Sequence, residues 1–232
     1  AARALIDQAD VVIENFSTGV MAKYGLDYDT VSQGREDLIY CSTSAYGRDG
    51  PFAKRPGYDP VVQAESGFQS LTGLPEHEPV RTATPMTDVT TGLNGALAVL
   101  AALWRRKRTG KGQFVEVPLY DTGAFNTLPL ALHEMLGGPT PRRIGNKDHW
   151  AAPADLFQAA DGVQVMIVAP TTQAFQALMR EVARDDLAED PALADANARL
   201  ARRDELEMAV RTAVAGRPGA YWVERLRGLG VP

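Results

Sequence analysis

At 232 residues the chain is long enough for one large or two small domains, and 45% hydrophobic with 23% charged residues describes an ordinary globular core under a polar surface. A net charge of -5 disfavours nonspecific nucleic-acid binding, and a single cysteine, Cys41, excludes an internal disulfide. His77, His133 and His149 give no metal-ligand spacing, no signal peptide is evident, and no apolar run reads as long enough to span a bilayer; neither metal nor membrane is expected, and a reducing cytoplasm is the expected compartment.

Residues 1–8 read as the end of a helix. Val11-Val12-Ile13-Glu14 reads as a short buried strand, because continuous apolar runs suit parallel sheets. Tyr28 to Arg35 reads as a helix and Leu38 to Ser42 as the next strand, a β-α-β rhythm that predicts an open, mostly parallel α/β sheet. Residues 45–57 form a loop rich in glycine and proline, and Asp59 to Leu71 has a loose helical period. A long helix runs from Asp88 to about Arg106, with Gly92 and Gly95 near its start. Glycines inside a helix cost about 1 kcal/mol each relative to alanine, so close approach of a ligand or another chain, or tight helix packing, is expected there. The helix ends in Arg105-Arg106-Lys107-Arg108, which complements the dipole, with Gly110 as its stop.

Phe114 to Asp121 is strand-like, and a second helix runs to about Leu136, ended by Gly137-Gly138-Pro139. Residues 139–153 are linker-like and contain three prolines. Leu156-Phe157, a turn at Asp161-Gly162 and Val163 to Val168 read as a hairpin. Amphipathic helices follow at Thr172 to Val182, Arg203 to Val214 and Pro218 to Leu229, the last with Trp222, Leu226 and Leu229 at core spacing. A boundary near residue 145 divides the chain into domains 1–145 and 146–232.

Asp88 is the residue with most chemical potential. A carboxylate at a helix start feels the positive end of the dipole and meets free backbone N–H groups, and it can act as a nucleophile on an activated acyl group. Asp is also a preferred N-cap, so the local sequence leaves the capping and catalytic readings both open. Cys41, in an apolar run, reads as a buried thiol.

Several ordered blocks carry a resemblance: Ala9-Asp10-Val11-Val12-Ile13-Glu14-Asn15-Phe16-Ser17-Thr18-Gly19; Leu38 to Gly47 with Gly50-Pro51-Phe52 and Arg55-Pro56-Gly57-Tyr58-Asp59; Asp88-Val89-Thr90-Thr91-Gly92 with Thr109-Gly110-Lys111-Gly112-Gln113; and, more weakly, Gly145-Asn146, Ala160-Asp161-Gly162 and the stretch from Asn197 to Leu206. The set resembles family III CoA transferases, the superfamily that also holds the α-methylacyl-CoA racemases. The resemblance implies a family III CoA-transferase fold: a partial Rossmann-like large domain that binds CoA, and a smaller α+β domain. Relative to the family both ends look cut, so a fragment is expected.

The resemblance further implies that Asp88 is the nucleophile and that coenzyme A or acyl-CoA is a substrate, with no tightly bound cofactor. It places Asn15, Phe16, Lys23, Arg55 and Tyr58 against CoA, with Lys23 and Arg55 facing phosphates. Asn15 and Phe16 follow a strand, at the carboxyl end where α/β sheets bind ligands. Gly145-Asn146 is the nearest substitute for the family's glycine loop as a source of oxyanion donors. The racemases carry histidine where this chain has Tyr58, and an acid in the segment matching Ala169-Pro170-Thr171-Thr172, which has none; a phenol of pKa about 10 is a poor base at neutral pH. Transferase is therefore favoured, with a racemase-like isomerase and a non-catalytic CoA-binding homologue as alternatives. Asp59 and Glu65 read as loop or helix-face charges. The expected partners are acyl-CoA, a small carboxylic acid and, as in the family, a second copy in an interlocked homodimer.

Overall fold

The computed structural model describes residues 1–232 and divides them into two compact units, residues 1–72 with 77–143, and residues 73–76 with 144–232. The first unit runs α1 (Ala2–Ile6), β1 (Val11–Glu14), α2 (Val20–Lys23), α3 (Tyr28–Val31), β2 (Ile39–Ser44), α4 (Asp59–Glu65), a 3₁₀ turn (Gln69–Leu71), α5 (Met86–Thr109), β3 (Gln113–Pro118) and α6 (Leu119–Met135). Its three strands are all parallel, in the order β1-β2-β3, with Val11 opposite Ile39 and Ile39 opposite Gln113. The α/β class is as the sequence predicts.

Alternation along β2 sends its side chains to two cores. Leu38 and Tyr40 pack with Val12 and Val31 on one face, where Tyr28, Tyr40 and Phe114 form an aromatic cluster. Ile39 and Cys41 pack with Val115 and Ala102 on the other, beneath Ala98, Val99 and Leu103 of α5. Burial pushes the Cys41 thiol pKa upward, and the Glu14 charge adds to it. This is the inert buried thiol that the sequence suggests.

Gly110 ends α5 with φ +73°, as expected. Gly112 has a stricter reason to be glycine: a Cβ there would lie 2.0 Å from the Leu38 carbonyl oxygen. Arg105 donates to the Gly112 carbonyl at 2.9 Å, and Arg106 pairs with Asp10 at 3.1 Å, so the head of the basic turn is structural. No neighbour in the chain requires glycine in α5: a Cβ at Gly92 meets nothing within 4 Å, and one at Gly95 meets the Cys41 sulfur at an ordinary 3.8 Å.

Several boundaries differ from expectation. The helix expected over Asp59 to Leu71 breaks after Glu65, where Gly67 adopts φ +84°. The strand expected to reach Asp121 stops at Pro118, which stands at the N-cap of α6. The expectation of no apolar run of membrane-spanning length is also corrected. Helix α5 has 24 residues and an 18-residue stretch of mean hydropathy 1.3, enough to cross a bilayer by length and composition alone, a test that core helices of soluble proteins also pass. Gly92, Asn94 and Gly95 interrupt the apolar run to the eye without lowering its average enough. Leu93, Leu97, Leu100 and Trp104 of α5 are each 61–65% exposed on this unit.

The second unit is α+β. Strands β4 (Ala154–Gln158) and β5 (Gln164–Val168) form an antiparallel hairpin, and helices α7 (Thr172–Glu181), α8 (Asp185–Ala188), α9 (Ala196–Ala201), α10 (Arg203–Val214) and α11 (Gly219–Gly228) follow. Its core holds Phe157, Ile167, Phe175, Leu178, Met179, Leu206, Val210, Trp222 and Leu226. Leu229 is not the core residue its spacing predicts. Gly230 turns the chain at φ +70°, leaving Leu229 half-exposed and burying Val231 instead. Arg199 is buried here and donates to the carbonyls of Leu193, Ala194 and Pro170, which satisfies its charge in place.

Candidate active site

Asp88 is the third residue of α5, not its cap, because the helix begins at Met86 behind Pro85. Pro85 has no side-chain acceptor for the free N–H groups of the first turn. The acceptor comes from elsewhere. Asp59, at the start of α4 and 3% exposed, takes the Thr87 N–H at 2.8 Å and the Asp88 N–H at 3.3 Å on Oδ1, together with the Thr87 hydroxyl. Its Oδ2 takes Gln63 Nε2 at 2.6 Å. Gln63 is held in turn, since its Oε1 accepts the Thr82 N–H at 3.0 Å.

This arrangement corrects the reading of Asp59 as a loop or helix-face charge. Asp59 is a buried tertiary cap for α5, and its carboxylate oxygens are occupied. The Asp88 carboxylate, by contrast, has neither hydrogen bond nor ion pair and reaches solvent. Its pKa is raised above the ordinary carboxylate value, first by partial burial and then by the nearby charge of Asp59. Sequence reasoning missed Asp59 because the residues it caps lie 28 and 29 positions along the chain. The one local signal is Pro60 immediately after it, which marks a helix start.

Asn15, Phe16, Arg55 and Tyr58 converge on one cavity of about 380 Å³, lined also by Ser17, Thr18, Ser44, Ala45, Tyr46, Arg48 and Lys54. The cavity opens at the carboxyl ends of β1 and β2, where a parallel sheet places ligands. Phe16 is 55% and Tyr58 74% exposed, so both rings are available to a ligand. Tyr58 precedes Asp59, which links the cavity wall directly to the residue that caps the helix of Asp88.

Two basic candidates stand differently. Lys23 ends α2, is exposed, and lies 5.8 Å from the ring centroid of Tyr24, outside the lining of this cavity. Arg55 lines the cavity but pairs with Glu65 at 2.5 Å and lies over the rings of Tyr46 and Phe52. Lys54, one residue earlier, lines the same cavity without an acidic partner. Gly145 and Asn146 belong to the second unit, where Gly145 has φ +66° and its N–H bonds to Gly73 O at 3.0 Å. No group of three or more histidine, cysteine or acidic side chains is placed to hold a metal.

The sequence pattern of the family described as CoA-transferase family III matches residues 1–232. The chain is 36% identical over 233 residues to an acetyl-CoA:oxalate CoA-transferase of Acetobacter aceti, covering 98% of this chain and 59% of that protein. It is 35% identical over 210 residues to a succinate–glutarate CoA-transferase of Agrobacterium fabrum, covering 90% and 52%. Among solved structures, a CaiB/BaiF family protein from Brucella suis superposes with a TM-score of 0.81 at 35% identity, over 100% of this chain and 61% of that one. The chain thus spans between half and two thirds of the length of these relatives.

Proposed function

Because the chain belongs to CoA-transferase family III, we propose that it moves coenzyme A from an acyl-CoA donor to a carboxylic acid, with Asp88 as the covalent nucleophile. The supporting observation is the division of labour between two carboxylates. Asp59 takes the N–H groups of the first turn of α5, which leaves the Asp88 oxygens unpaired. Within carboxylates, a raised pKa goes with greater basicity and greater nucleophilicity, and the Asp88 pKa is raised by partial burial and by the charge of Asp59.

An Asp88 oxygen attacks the thioester carbonyl, the C–S bond breaks, and CoA thiolate leaves a mixed anhydride. The thiolate then attacks the Asp88 carbonyl of that anhydride and releases the donor acid, forming an aspartyl-CoA thioester. The acceptor carboxylate attacks this thioester and expels the thiolate. Finally the thiolate attacks the acceptor carbonyl of the new anhydride, which yields acceptor-CoA and free Asp88. No proton, metal or redox partner enters the balance. Asn15, Phe16, Tyr58 and Lys54 receive the CoA moiety, with Lys23 and Arg55 assisting its phosphates. Short dicarboxylic acids are the acceptor class, by likeness to relatives named for oxalate and glutarate.

The intact protein works as an interlocked homodimer in the cytoplasm. The support for a second copy is the outward apolar row of Leu93, Leu97, Leu100 and Trp104 on α5, beside exposed Phe125 and Leu132 of α6. We read helix α5 as a globular helix rather than a membrane span, a reading supported by Ala98, Val99, Ala102 and Leu103, which cover the sheet, and by Asp88 in its first turn. The test is to incubate the intact protein with acetyl-CoA or succinyl-CoA and then trap with hydroxylamine. Mass spectrometry is expected to find an Asp88 hydroxamate. Modification elsewhere, or turnover by Asp88→Ala, would sink the assignment.

A further inference from the structure

Phe16 is gripped by both of its backbone groups. Its N–H donates to Glu14 Oε2 at 2.9 Å, and its C=O accepts from Arg48 Nη1 at 2.6 Å. The two gripping side chains are themselves joined, Arg48 Nη2 to Glu14 Oε1 at 2.7 Å, with side chains only 17% and 5% exposed. Ser42 completes the knot: its hydroxyl donates to Glu14 Oε1 at 2.5 Å and accepts from Arg48 Nε at 2.6 Å. Arg48 Nη2 also donates to the Thr43 carbonyl at 3.0 Å, so its fork spans the ends of β1 and β2. The Phe16 ring takes no part. It stands 55% exposed on the cavity that Asn15, Tyr58 and Lys54 also line.

A buried ion pair is a weak source of net stability, since desolvation cancels much of the attraction, but it holds geometry well. The geometry held here is that of one peptide residue whose side chain faces a ligand cavity. An unclamped loop would have to become ordered when a ligand binds, and that ordering weakens binding. We propose, on the reading that this cavity receives coenzyme A, that Glu14 and Arg48 are positioning residues that pre-set Phe16 for contact with CoA. Neither touches the reacting atoms. Their loss weakens CoA binding through the position of Phe16 and leaves the chemical steps intact; because Arg48 also lines the cavity, the double variant separates this route from direct contact. A Lys cannot substitute for Arg48, because an ammonium lacks the planar fork that reaches Ser42, Glu14, Thr43 and Phe16 together.

The experiment uses the intact protein and the variants Arg48→Lys, Glu14→Gln, Phe16→Ala and Arg48→Lys/Phe16→Ala. It reads KM and kcat for acyl-CoA and calorimetric binding of free CoA. Arg48→Lys and Glu14→Gln are expected to raise KM and Kd about three- to tenfold, the scale of one unordered side chain or loop residue, with kcat within about twofold of wild type. In the Phe16→Ala background, Arg48→Lys is expected to add nothing. Hydrogen exchange on the wild type needs no variant to fold: the Phe16 amide is expected to be protected in the absence of CoA. Rapid exchange there, wild-type KM in both clamp variants, a fall in kcat with unchanged KM, or a full additive effect of Arg48→Lys without the ring would each overturn the proposal while leaving the transferase reading standing. A wild type that binds no CoA would overturn both.

Discussion

Replacing Asp59 by Asn tests the two-carboxylate arrangement most directly. The change keeps shape and removes one charge. Asp59 accepts from the Thr87 N–H, the Thr87 hydroxyl and the Asp88 N–H on Oδ1, and from Gln63 Nε2 on Oδ2. Asparagine retains one carbonyl oxygen. If that oxygen serves the helix start, its NH₂ meets the Gln63 NH₂ in a site where Gln63 is 0% exposed. Gln63 cannot turn over without losing the bond its oxygen accepts from the Thr82 N–H at 3.0 Å. The unsatisfied buried donor costs about 1–3 kcal/mol, and the lost charge at the helix start about 0.3–1 kcal/mol more. Asp59→Asn is therefore expected to lose roughly 1.3–4 kcal/mol and to lower Tm by about 3–16 °C, read by denaturant and calorimetric unfolding of the intact protein. The variant also removes a charge that raises the Asp88 pKa, so that pKa should fall while burial, the larger cause, keeps it above the ordinary 3.8. Because the folded pKa is raised, ionisation of Asp88 opposes folding: its stabilising contribution is full below 3.8 and is lost as pH rises through the folded pKa. Asp59→Asn should shrink that pH dependence and shift the acid limb of kcat/KM to lower pH. A stability loss under about 1 kcal/mol, or an acid limb that moves upward, would refute the reasoning.

The other expectations are narrower. Asp88→Asn should abolish transfer yet leave unfolding free energy within about 0.5 kcal/mol of wild type or slightly higher, because the side chain has no partner to lose and sheds the repulsion from Asp59; a clear loss of stability would mean that it caps after all. Lys54→Ala should raise KM for acyl-CoA several-fold with kcat spared, and Lys23→Ala and Arg55→Ala should do the same to a smaller degree; an unchanged KM in all three removes the phosphate assignments. Gly112→Ala should fail to express as folded protein, since its Cβ would overlap the Leu38 carbonyl, whereas Gly110→Ala should cost only about 1 kcal/mol for the left-handed backbone. In heavy water a 2-methylacyl-CoA should take up no deuterium at its α-carbon, since the family resemblance sets Tyr58 at the position where the racemases carry their histidine base; uptake at turnover rates would favour the isomerase.

What was legible in the chain is what local pattern encodes. The apolar run at Leu38 marks a parallel strand covered on both faces of the sheet, whereas the run at Val11, read as buried, forms an edge strand whose Ile13 stays 69% exposed. Gly110 marks the end of α5 because only a left-handed residue closes that turn. The cavity residues Asn15 and Phe16 follow from their place after a strand. Long-range partners left no such trace. Asp59 looks like an ordinary first-turn acid, and only folding brings it to Thr87. Glu14 and Arg48 are 34 residues apart, and nothing in either neighbourhood signals the other. The cap preference of aspartate pointed to Asp88 as the helix start, and it erred because Pro85 occupies that position and the acceptor is supplied by another helix. Leu229 kept the right spacing but fell beyond the last turn, where Gly230 redirects the chain.

On the proposed covalent mechanism, the two aspartates also explain each other. A carboxylate that both caps a helix and attacks a thioester would have to release its N–H partners as it lost negative charge in the anhydride. Each lost charge-assisted bond would add about 1.5–3 kcal/mol to the barrier. Moving the cap to Asp59 removes that conflict: the first turn of α5 keeps its acceptor whether Asp88 is a free carboxylate, an anhydride or a thioester. The neutral acylated forms are even eased, since the Asp59 charge that disfavours ionised Asp88 no longer meets a like charge. On that proposed mechanism, a buried Asp59 beside Asp88 would act on both sides of the reaction. It makes the resting carboxylate more basic, and it lowers the energy of the covalent states relative to it.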